Sequence, residues 1–269
     1  MQEQQDKKRL FFGAEVHAPW PKELPDGKIL RECDRHLTLA FLGNVSYQHV
    51  VDLLPTFPLP PLTVGLIGQF DKCLSLPIKH PHVIAWHIDW LTDPAPFLAY
   101  QQHLVEWLTS QGLPPLQHDT FLAHVTLCRS PFVMQEWKDA FSTLPCYITN
   151  IHLYESMGNS IYESRWNIPI KPPIEEIPHT ADLAFRLYGS SLQHLYIHAQ
   201  VALAFHYPPL LSFFSPTFKG NDLDDLIIAL NTIVTKADVE GQCPYKAISF
   251  HGDLKKQETL LTWEMIVDV

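Results

Sequence analysis

Two short segments of the chain alternate polar and apolar residues in the same order. One is HLTL, beginning at His36, and the other is HVTL, beginning at His124. Alternation with a period of two is typical of a half-buried β-strand, in which residues i and i+2 share a face. The pattern therefore predicts that His36 shares a face with Thr38, and His124 with Thr126, while the aliphatic residues enter a core.

The surrounding pattern predicts a mixture of strands and helices. Strands are predicted at 9–19, 36–42 (closed by Gly43 and Asn44), 63–70, 83–90 and 121–128, with two more up to Ile170; helices are predicted at 46–54, 95–111 and 132–143. A motif strand followed by a helix thus occurs twice. This repetition predicts an α+β fold of two similar halves, related by a pseudo-two-fold axis that would bring the motifs to face each other.

A segment with prolines and glutamates, 171–179, is predicted to be a short, solvated linker. It would divide the chain of 269 residues into two domains, 1–171 and 172–269. The second, smaller domain is again predicted as α+β. Its predicted elements are a strand at 181–189, a helix from Ser190 or Ser191 to before Pro208, a helix from near Asp222, and strands at 247–250 and 262–269.

Charge and cysteine content narrow the functional classes. The formal net charge is −10 and no run of Lys or Arg resembles a nucleic-acid-binding tail, so an RNA would be held at its end and not along a basic track. Five widely spaced cysteines without a CxxC argue against a disulfide framework and a zinc knuckle. No apolar run reaches the length of a membrane span, and the first residues lack the apolar core of a signal peptide. We therefore expect a soluble, cytoplasmic protein.

The paired motifs suit one kind of chemistry, an in-line displacement at phosphorus. One of His36 and His124 would act as general base and the other as general acid, and the sequence does not say which. Hydroxyls of Thr38 and Thr126 would donate to the non-bridging phosphate oxygens. Arg129 could add a charge-assisted contact, although by strand parity it falls off the His124 face. This chemistry needs no metal.

The alternative is that both motifs are ordinary strands whose histidines are satisfied by hydrogen bonds. A third His-x-Thr, beginning at His118, lacks the flanking leucine pattern. Among other histidines, His80, His82 and His87 suggest a metal cluster, but Pro81 and the adjoining strand would spread them apart.

Aromatic residues near the motifs are more typical of a packed core. One or two of them, such as Phe41 or Trp86, are candidates for a platform that stacks a terminal base.

The two motifs and their surroundings resemble the two-histidine phosphoesterase superfamily, and most of all the RNA 2′,3′-cyclic phosphodiesterases once called 2′-5′ RNA ligases. Further matching segments are RLFFGAEV (9–16), ITNIHLYES (148–156) and IYESRWNIPI (161–170). The resemblance covers residues 8 to 171. It implies a duplicated, two-lobed fold and metal-independent hydrolysis of terminal 2′,3′-cyclic phosphates of RNA to 2′-phosphate ends.

The segment 175–205 resembles the N-terminal part of archease, an activator of the RNA-splicing ligase. The resemblance implies that this ligase is a partner. It implies functional roles for Asp182, Lys246 and Asp268, with the two carboxylates holding Mg²⁺ or Ca²⁺. Two departures are visible: Pro178 stands where that family has its first aspartate, and the stretch before Lys246 is shorter.

Two other functions fit the same residues. The protein could be a non-catalytic RNA-end-binding or ligase-activating protein whose first domain is a recognition pocket. It could also be a phosphoesterase of another small cyclic nucleotide. Two intact His-Thr pairs favour the enzyme, because a binding pocket has no chemical need for two histidines.

Overall fold

A computed structural model describes residues 6–116, 121–179, 182–241 and 243–269, with the backbone alone for 250–253. The third His-x-Thr, His118 to Thr120, lies outside the described residues. So do Thr180 and Ala181 of the archease-like segment 175–205.

The first part of the chain forms one sheet of eight strands. The strands are β1 (Lys7–His17), β2 (Lys28–Ile29), β3 (His36–Ser46), β4 (Ile67–Leu76), β5 (Val83–Trp90), β6 (His124–Arg129), β7 (Leu144–Gly158) and β8 (Ile161–Ile168). Six of them pair in the order β1-β3-β6-β5-β4-β7, and β7 pairs again with β1, so that this part of the sheet is closed. β2 and β8 extend it from β6 and β7.

Three α-helices accompany this sheet: α1 (Tyr47–Leu53), α2 (Ala95–Ser110) and α3 (Met134–Asp139). The predicted N-cap of α1 is present, since the Ser46 hydroxyl accepts a hydrogen bond from the His49 amide. Helix α2 buries the predicted stripe of Phe97, Tyr100, Gln101, Leu104 and Leu108. The Gln101 side chain donates to the Leu39 carbonyl at 2.9 Å, which ties α2 to the first motif strand.

The second part of the chain forms a four-stranded sheet with two helices. Its strands are β9 (Ile174–Glu176), β10 (Leu183–Gly189), β11 (Ala247–Gln257) and β12 (Leu260–Asp268), in the order β11-β12-β10-β9; its helices are α4 (Leu192–His206) and α5 (Leu223–Gly241). Helix α4 is buried on all its faces from Leu195 to Ala204, and the two polar residues in this run, His198 and Gln200, are hydrogen-bonded.

The solvated linker predicted at 171–179 is wrong. Strand β9 falls within it and pairs with β10, and Ile174 is buried in the second core. The Tyr188 hydroxyl donates to the Glu175 carboxylate at 2.6 Å, which holds the segment down. Ile67 of β4 is also fully buried in the second core, so the two sheets share packing.

Strand ends differ from the predicted ones because pairing, not local sequence, sets them. β3 continues past Gly43 to Ser46, since its partner β1 offers backbone groups as far as Lys7. Gly43 adopts φ +74° within the strand, and a Cβ there would meet Leu116 Cδ1 at 2.7 Å. β4 begins at Ile67 and not at 63, and the predicted helix at 132–143 shortens to α3.

The mixed class of helices and sheets is confirmed, and the closure of six strands was not predicted. All five cysteine thiols are free. Within the described ranges, no helix is both long and apolar enough to cross a membrane.

Candidate active site

The two motif strands lie side by side and are joined at a single antiparallel pair, Leu37 with Val125. Both residues are fully buried, as the alternation predicts. Antiparallel register about this pair sets His36 towards Thr126 and Thr38 towards His124. A local pseudo-two-fold axis therefore passes through the Leu37–Val125 pair, and the His and Thr of each motif lie around this axis.

Both histidines make the same hydrogen bond. His36 Nδ1 lies 2.8 Å from the Asp34 carbonyl oxygen, and His124 Nδ1 lies 2.8 Å from the Leu122 carbonyl oxygen. A carbonyl can only accept, so Nδ1 carries the proton in each ring and Nε2 has the lone pair. Among the described residues, none hydrogen-bonds to either Nε2 atom. The fold thus fixes the same tautomer twice and leaves Nε2 for chemistry.

Burial affects both imidazoles in the same direction. It lowers the pKa of His36 to about 4, with smaller effects from Arg129 and from the protonated form of His124, against the opposing bond to the Asp34 backbone. Burial also lowers the pKa of His124, with a further contribution from His87. Lowered pKa values favour the neutral form of both rings near pH 7.

A bulge in β6 decides where Arg129 lies. Ala85 of β5 pairs with Thr126, but its neighbour Ile84 pairs with Cys128, so one residue of β6 is left over. Val83, two residues before Ala85 and thus on its face, pairs with Arg129. The bulge reverses the parity, and the prediction that Arg129 lies off the face of its motif is wrong.

A cavity of about 650 Å³ opens on the first motif. His36, Thr38 and Arg129 line it, together with Arg9 and Lys28. No Asp or Glu is among its described lining residues. In the described part of the chain, none of the three cations Arg9, Lys28 and Arg129 pairs with a carboxylate. In a protein of net charge −10, such a concentration of cations makes this cavity suited to an anion.

Aromatic rings hold His36 in place. The Phe11 ring lies 4.6 Å from the imidazole between centroids, and the Tyr162 ring meets it edge-on at 4.9 Å. Arg129 Nη2 donates to the Tyr162 hydroxyl at 3.4 Å. Gly13 lies beneath, where a Cβ would meet the Leu37 carbonyl oxygen at 3.0 Å and His36 Cδ2 at 3.4 Å.

The second motif is less enclosed. His124 and Thr126 are half-buried but are not among the residues that line the 650 Å³ cavity. Among the described residues, neither Thr126 nor Thr38 has a hydrogen-bond partner for its hydroxyl, so both can donate to a ligand.

Three contributors were missed by the sequence reasoning: Arg9, Lys28 and Tyr162. They come from β1, β2 and β8, outside the two motif strands. Arg9 and Tyr162 fall inside the segments 9–16 and 161–170 that carried the family resemblance, which was the available signal for them.

The remaining sequence candidates have other environments. His82 lines the cavity, whereas His87 Nδ1 bonds to the Asp71 carboxylate at 2.6 Å, so these histidines do not converge. Trp86 is 1% exposed and belongs to the core, which rules it out as a stacking platform. Phe41 lines the cavity, with the Arg9 guanidinium 4.8 Å above its ring.

The three archease-like candidates come to one end of the second sheet. Leu183 pairs with Val267 and Ala247 with Asp268, so Asp182, Lys246 and Asp268 lie at adjacent strand ends. Lys246 Nζ is 3.7 Å from Asp268 Oδ1, and His179 Nδ1 is 3.7 Å from Asp182 Oδ2.

This donor set fits a bound metal poorly. Among the described residues, no three His, Cys, Asp or Glu side chains converge as metal ligands. Two carboxylates with an ammonium beside one of them would leave most positions of Mg²⁺ or Ca²⁺ to water.

Comparison with known proteins gives similarity to solved structures only. No family model matches the chain, and no curated protein matches it. A crystal structure titled as a phosphoesterase is 19% identical, with a TM-score of 0.43, and the alignment covers 61% of this chain and 99% of the other.

Two further structures are similar to the same extent. Escherichia coli LigT complexed with 3′-AMP is 20% identical, with a TM-score of 0.43, over 61% of this chain and 98% of the other. A protein of Thermus thermophilus is 17% identical, with a TM-score of 0.41, over 61% and 98%. These comparisons do not support the archease-like assignment of residues 172–269. The assignment of the chain to a family stays a prediction from its sequence motifs.

Proposed function

We propose that the protein is a cytoplasmic RNA 2′,3′-cyclic phosphodiesterase that opens terminal cyclic phosphates to 2′-phosphate ends without a metal. One observation carries the proposal: His36 and His124 flank a single strand pair and are held in the same tautomer by matched hydrogen bonds. A core histidine needs no such duplication. Neither Nε2 atom has a hydrogen-bond partner among the described residues. One can therefore accept a proton from water and the other can donate a proton to the leaving oxygen.

In the proposed step, one neutral imidazole accepts a proton at Nε2 from water as the water oxygen bonds to phosphorus. The P–O3′ bond breaks, and the other imidazole, protonated at Nε2, gives its proton to O3′. The product is a 2′-phosphate and a free 3′-hydroxyl. The negative phosphate favours the imidazolium form, which offsets the low pKa that burial imposes on both rings in the free protein.

The cations support a phosphate ligand in this position. Arg129 on the motif face can make charge-assisted hydrogen bonds to the reacting phosphate. Arg9 and Lys28, in the same cavity, are suited to phosphates further along the RNA. The hydroxyls of Thr38 and Thr126 can donate to the non-bridging oxygens as charge builds in the transition state.

Hydrolysis of a short RNA with a 2′,3′-cyclic phosphate end tests the proposal. We expect the intact protein to open the ring in EDTA, and His36→Ala and His124→Ala each to lose activity by about 10²–10⁴-fold. His103→Ala is the matched control, because His103 is exposed on α2. Hydrolysis of other cyclic nucleotides but not of the RNA end would favour the alternative phosphoesterase. Binding without hydrolysis would favour a recognition protein.

We also propose an archease-like role for the second part of the chain, on the observation that Asp182, Lys246 and Asp268 come together at one sheet end. The partner would be an RNA-splicing ligase. The test is ligation by such an enzyme with the intact protein and with Asp268→Asn. Stimulation by the first and not by the second supports the role, and no stimulation by either rejects it.

A further inference from the structure

A second cavity, of about 480 Å³, lies next to the first. Tyr162 lines both cavities, and its ring is the one that meets His36 edge-on. The second cavity therefore borders the same aromatic ring as the proposed site of reaction. Nothing in the proposed chemistry uses it.

Aromatic side chains form its walls, and the two parts of the chain both contribute. Tyr147 and Tyr154 come from β7, and Phe205 comes from α4 of the second part. The Phe205 and Tyr147 rings lie 5.3 Å apart, and the His17 ring stacks on Tyr147 at 4.9 Å. Such walls suit a flat ring, since bases of single-stranded RNA are held by stacking on aromatic side chains.

Two carboxylates line this space, those of Glu15 and Glu32. Glu15 pairs with His36 in the register of β1 and β3 and lines the second cavity. Its Oε2 accepts from Asn150 Nδ2 at 2.7 Å and from Thr149 Oγ1 at 3.2 Å. Its Oε1 has the His17 ring nitrogen at 3.5 Å as its contact, which leaves acceptor capacity for a ligand.

Neighbouring side chains favour the ionised form of Glu15. The nearby rings of His152 and His17 keep the pKa of Glu15 well below its usual range, against the effect of burial. Glu15 is therefore ionised wherever the histidine chemistry works, and an ionised carboxylate only accepts hydrogen bonds.

Resting on the proposed function, we propose that the second cavity receives the base of the terminal nucleotide and that Glu15 selects bases with an exocyclic amino group. Cytosine offers its N4 amine to the carboxylate, as adenine offers N6. Uracil has a carbonyl oxygen in place of that amine, and the carboxylate repels it. Phe205 gives the second part of the chain a direct place in substrate binding.

Binding of cytidine and uridine 2′-monophosphate by calorimetry tests this, because the two bases differ only at position 4 and in the proton on N3, and binding needs no catalysis. We expect cytidine to bind about 10–150-fold more tightly, the range of one hydrogen bond to a charged group. Glu15→Gln should reduce that ratio at least tenfold, since an amide can both donate and accept. Glu240→Gln, an exposed carboxylate on α5, is the matched control and should keep the wild-type ratio.

The substitution Phe205→Ala tests whether the aromatic wall of the second cavity contacts the base. We expect weaker binding of both nucleotides by about tenfold, with the cytidine-to-uridine ratio retained and the binding of inorganic phosphate at its wild-type value. Equal binding of both nucleotides by the intact protein, or an unchanged ratio in Glu15→Gln, would overturn the inference. A cytidine preference in a protein that hydrolyses no cyclic phosphate would leave the inference standing and reject the proposed enzyme, so the two failures are distinguishable.

Discussion

Phe41 and Arg129 are structural counterparts. Each is the third residue after its motif threonine, and each returns to the face of that threonine through a one-residue bulge, at Leu39 in β3 and at Leu127 in β6. The internal duplication thus extends beyond the His-Thr pairs to the irregularity that follows them. The two halves differ in what the bulge presents: an aromatic ring in the first and a guanidinium in the second.

Arg129 is the guanidinium that the bulge in β6 places on the face of Thr126. We expect Arg129→Ala to lower kcat/KM for a cyclic phosphate by about 10–150-fold, the equivalent of ~1.5–3 kcal/mol for a hydrogen bond to a charged group. Arg129→Lys should recover part of the loss, because an ammonium keeps the charge but not the planar pair of donors. Steady-state kinetics measures this, with exposed Lys219→Ala as control. Full activity in Arg129→Ala would remove Arg129 from the site.

The roles of His36 and His124 can be separated with the leaving group. A phosphodiester with a nitrophenol leaving group needs no protonation of that group, so the variant that lacks the general acid should hydrolyse it nearly as fast as the intact protein. The variant that lacks the general base should stay inactive on both substrates. Comparing His36→Ala and His124→Ala on an RNA end and on this ester gives the assignment. Equal loss of both variants on both substrates would contradict a division into acid and base.

The low pKa of His36 predicts a pH dependence of stability. The folded value is about 4 and the unfolded value is ~6.5, so between these pH values the unfolded chain binds more protons. The free energy of unfolding should therefore fall as the pH is lowered from about 6.5 to about 4. In His36→Gln the fall should be smaller, by on the order of 2 kcal/mol at pH 4.5. Urea unfolding at pH 7 and pH 4.5 measures both, and identical falls would contradict the shift.

Gly13 supports His36 from below, and its substitution should misplace the imidazole. A Cβ would be only 3.0 Å from the Leu37 carbonyl oxygen, so β3 must shift by a few tenths of an ångström. We expect Gly13→Ala to lower kcat by about tenfold, because small displacements of reacting groups are costly. Thermal unfolding separates this from loss of fold. An unchanged kcat would show that β3 accommodates the methyl group.

Metal removal should affect only the second part of the chain. Hydrolysis should proceed equally with EDTA and with added Mg²⁺, because the proposed step uses imidazoles alone. Ca²⁺ or Mg²⁺ binding near Asp182 and Asp268 should be weak, with Kd on the order of 10⁻³ M, and lost in Asp268→Asn. Equilibrium dialysis measures it. A tight site that survives Asp268→Asn would place the cation elsewhere.

The sequence by itself determined the local elements on which the site is built. Alternation around His36 and His124 identified both motif strands and the face that carries each threonine, because side-chain direction in a strand follows from a period of two. The apolar stripe of α2 and the Ser46 cap were equally local, and the structure confirms them.

Tertiary structure decided what those strands meet. The parity rule failed for Arg129 because a bulge arises from pairing with β5, which no local pattern records. Arg9 and Lys28 reach the cavity because β1 and β2 pair with the motif strands, and Tyr162 reaches it from β8, which pairs with β7. The linker was mispredicted for the same reason: β10 offered it an open edge, and backbone groups that can pair with a sheet edge do so. Periodicity gives the direction of a side chain, whereas register between distant strands gives its neighbours, and the proposed chemistry depends on both.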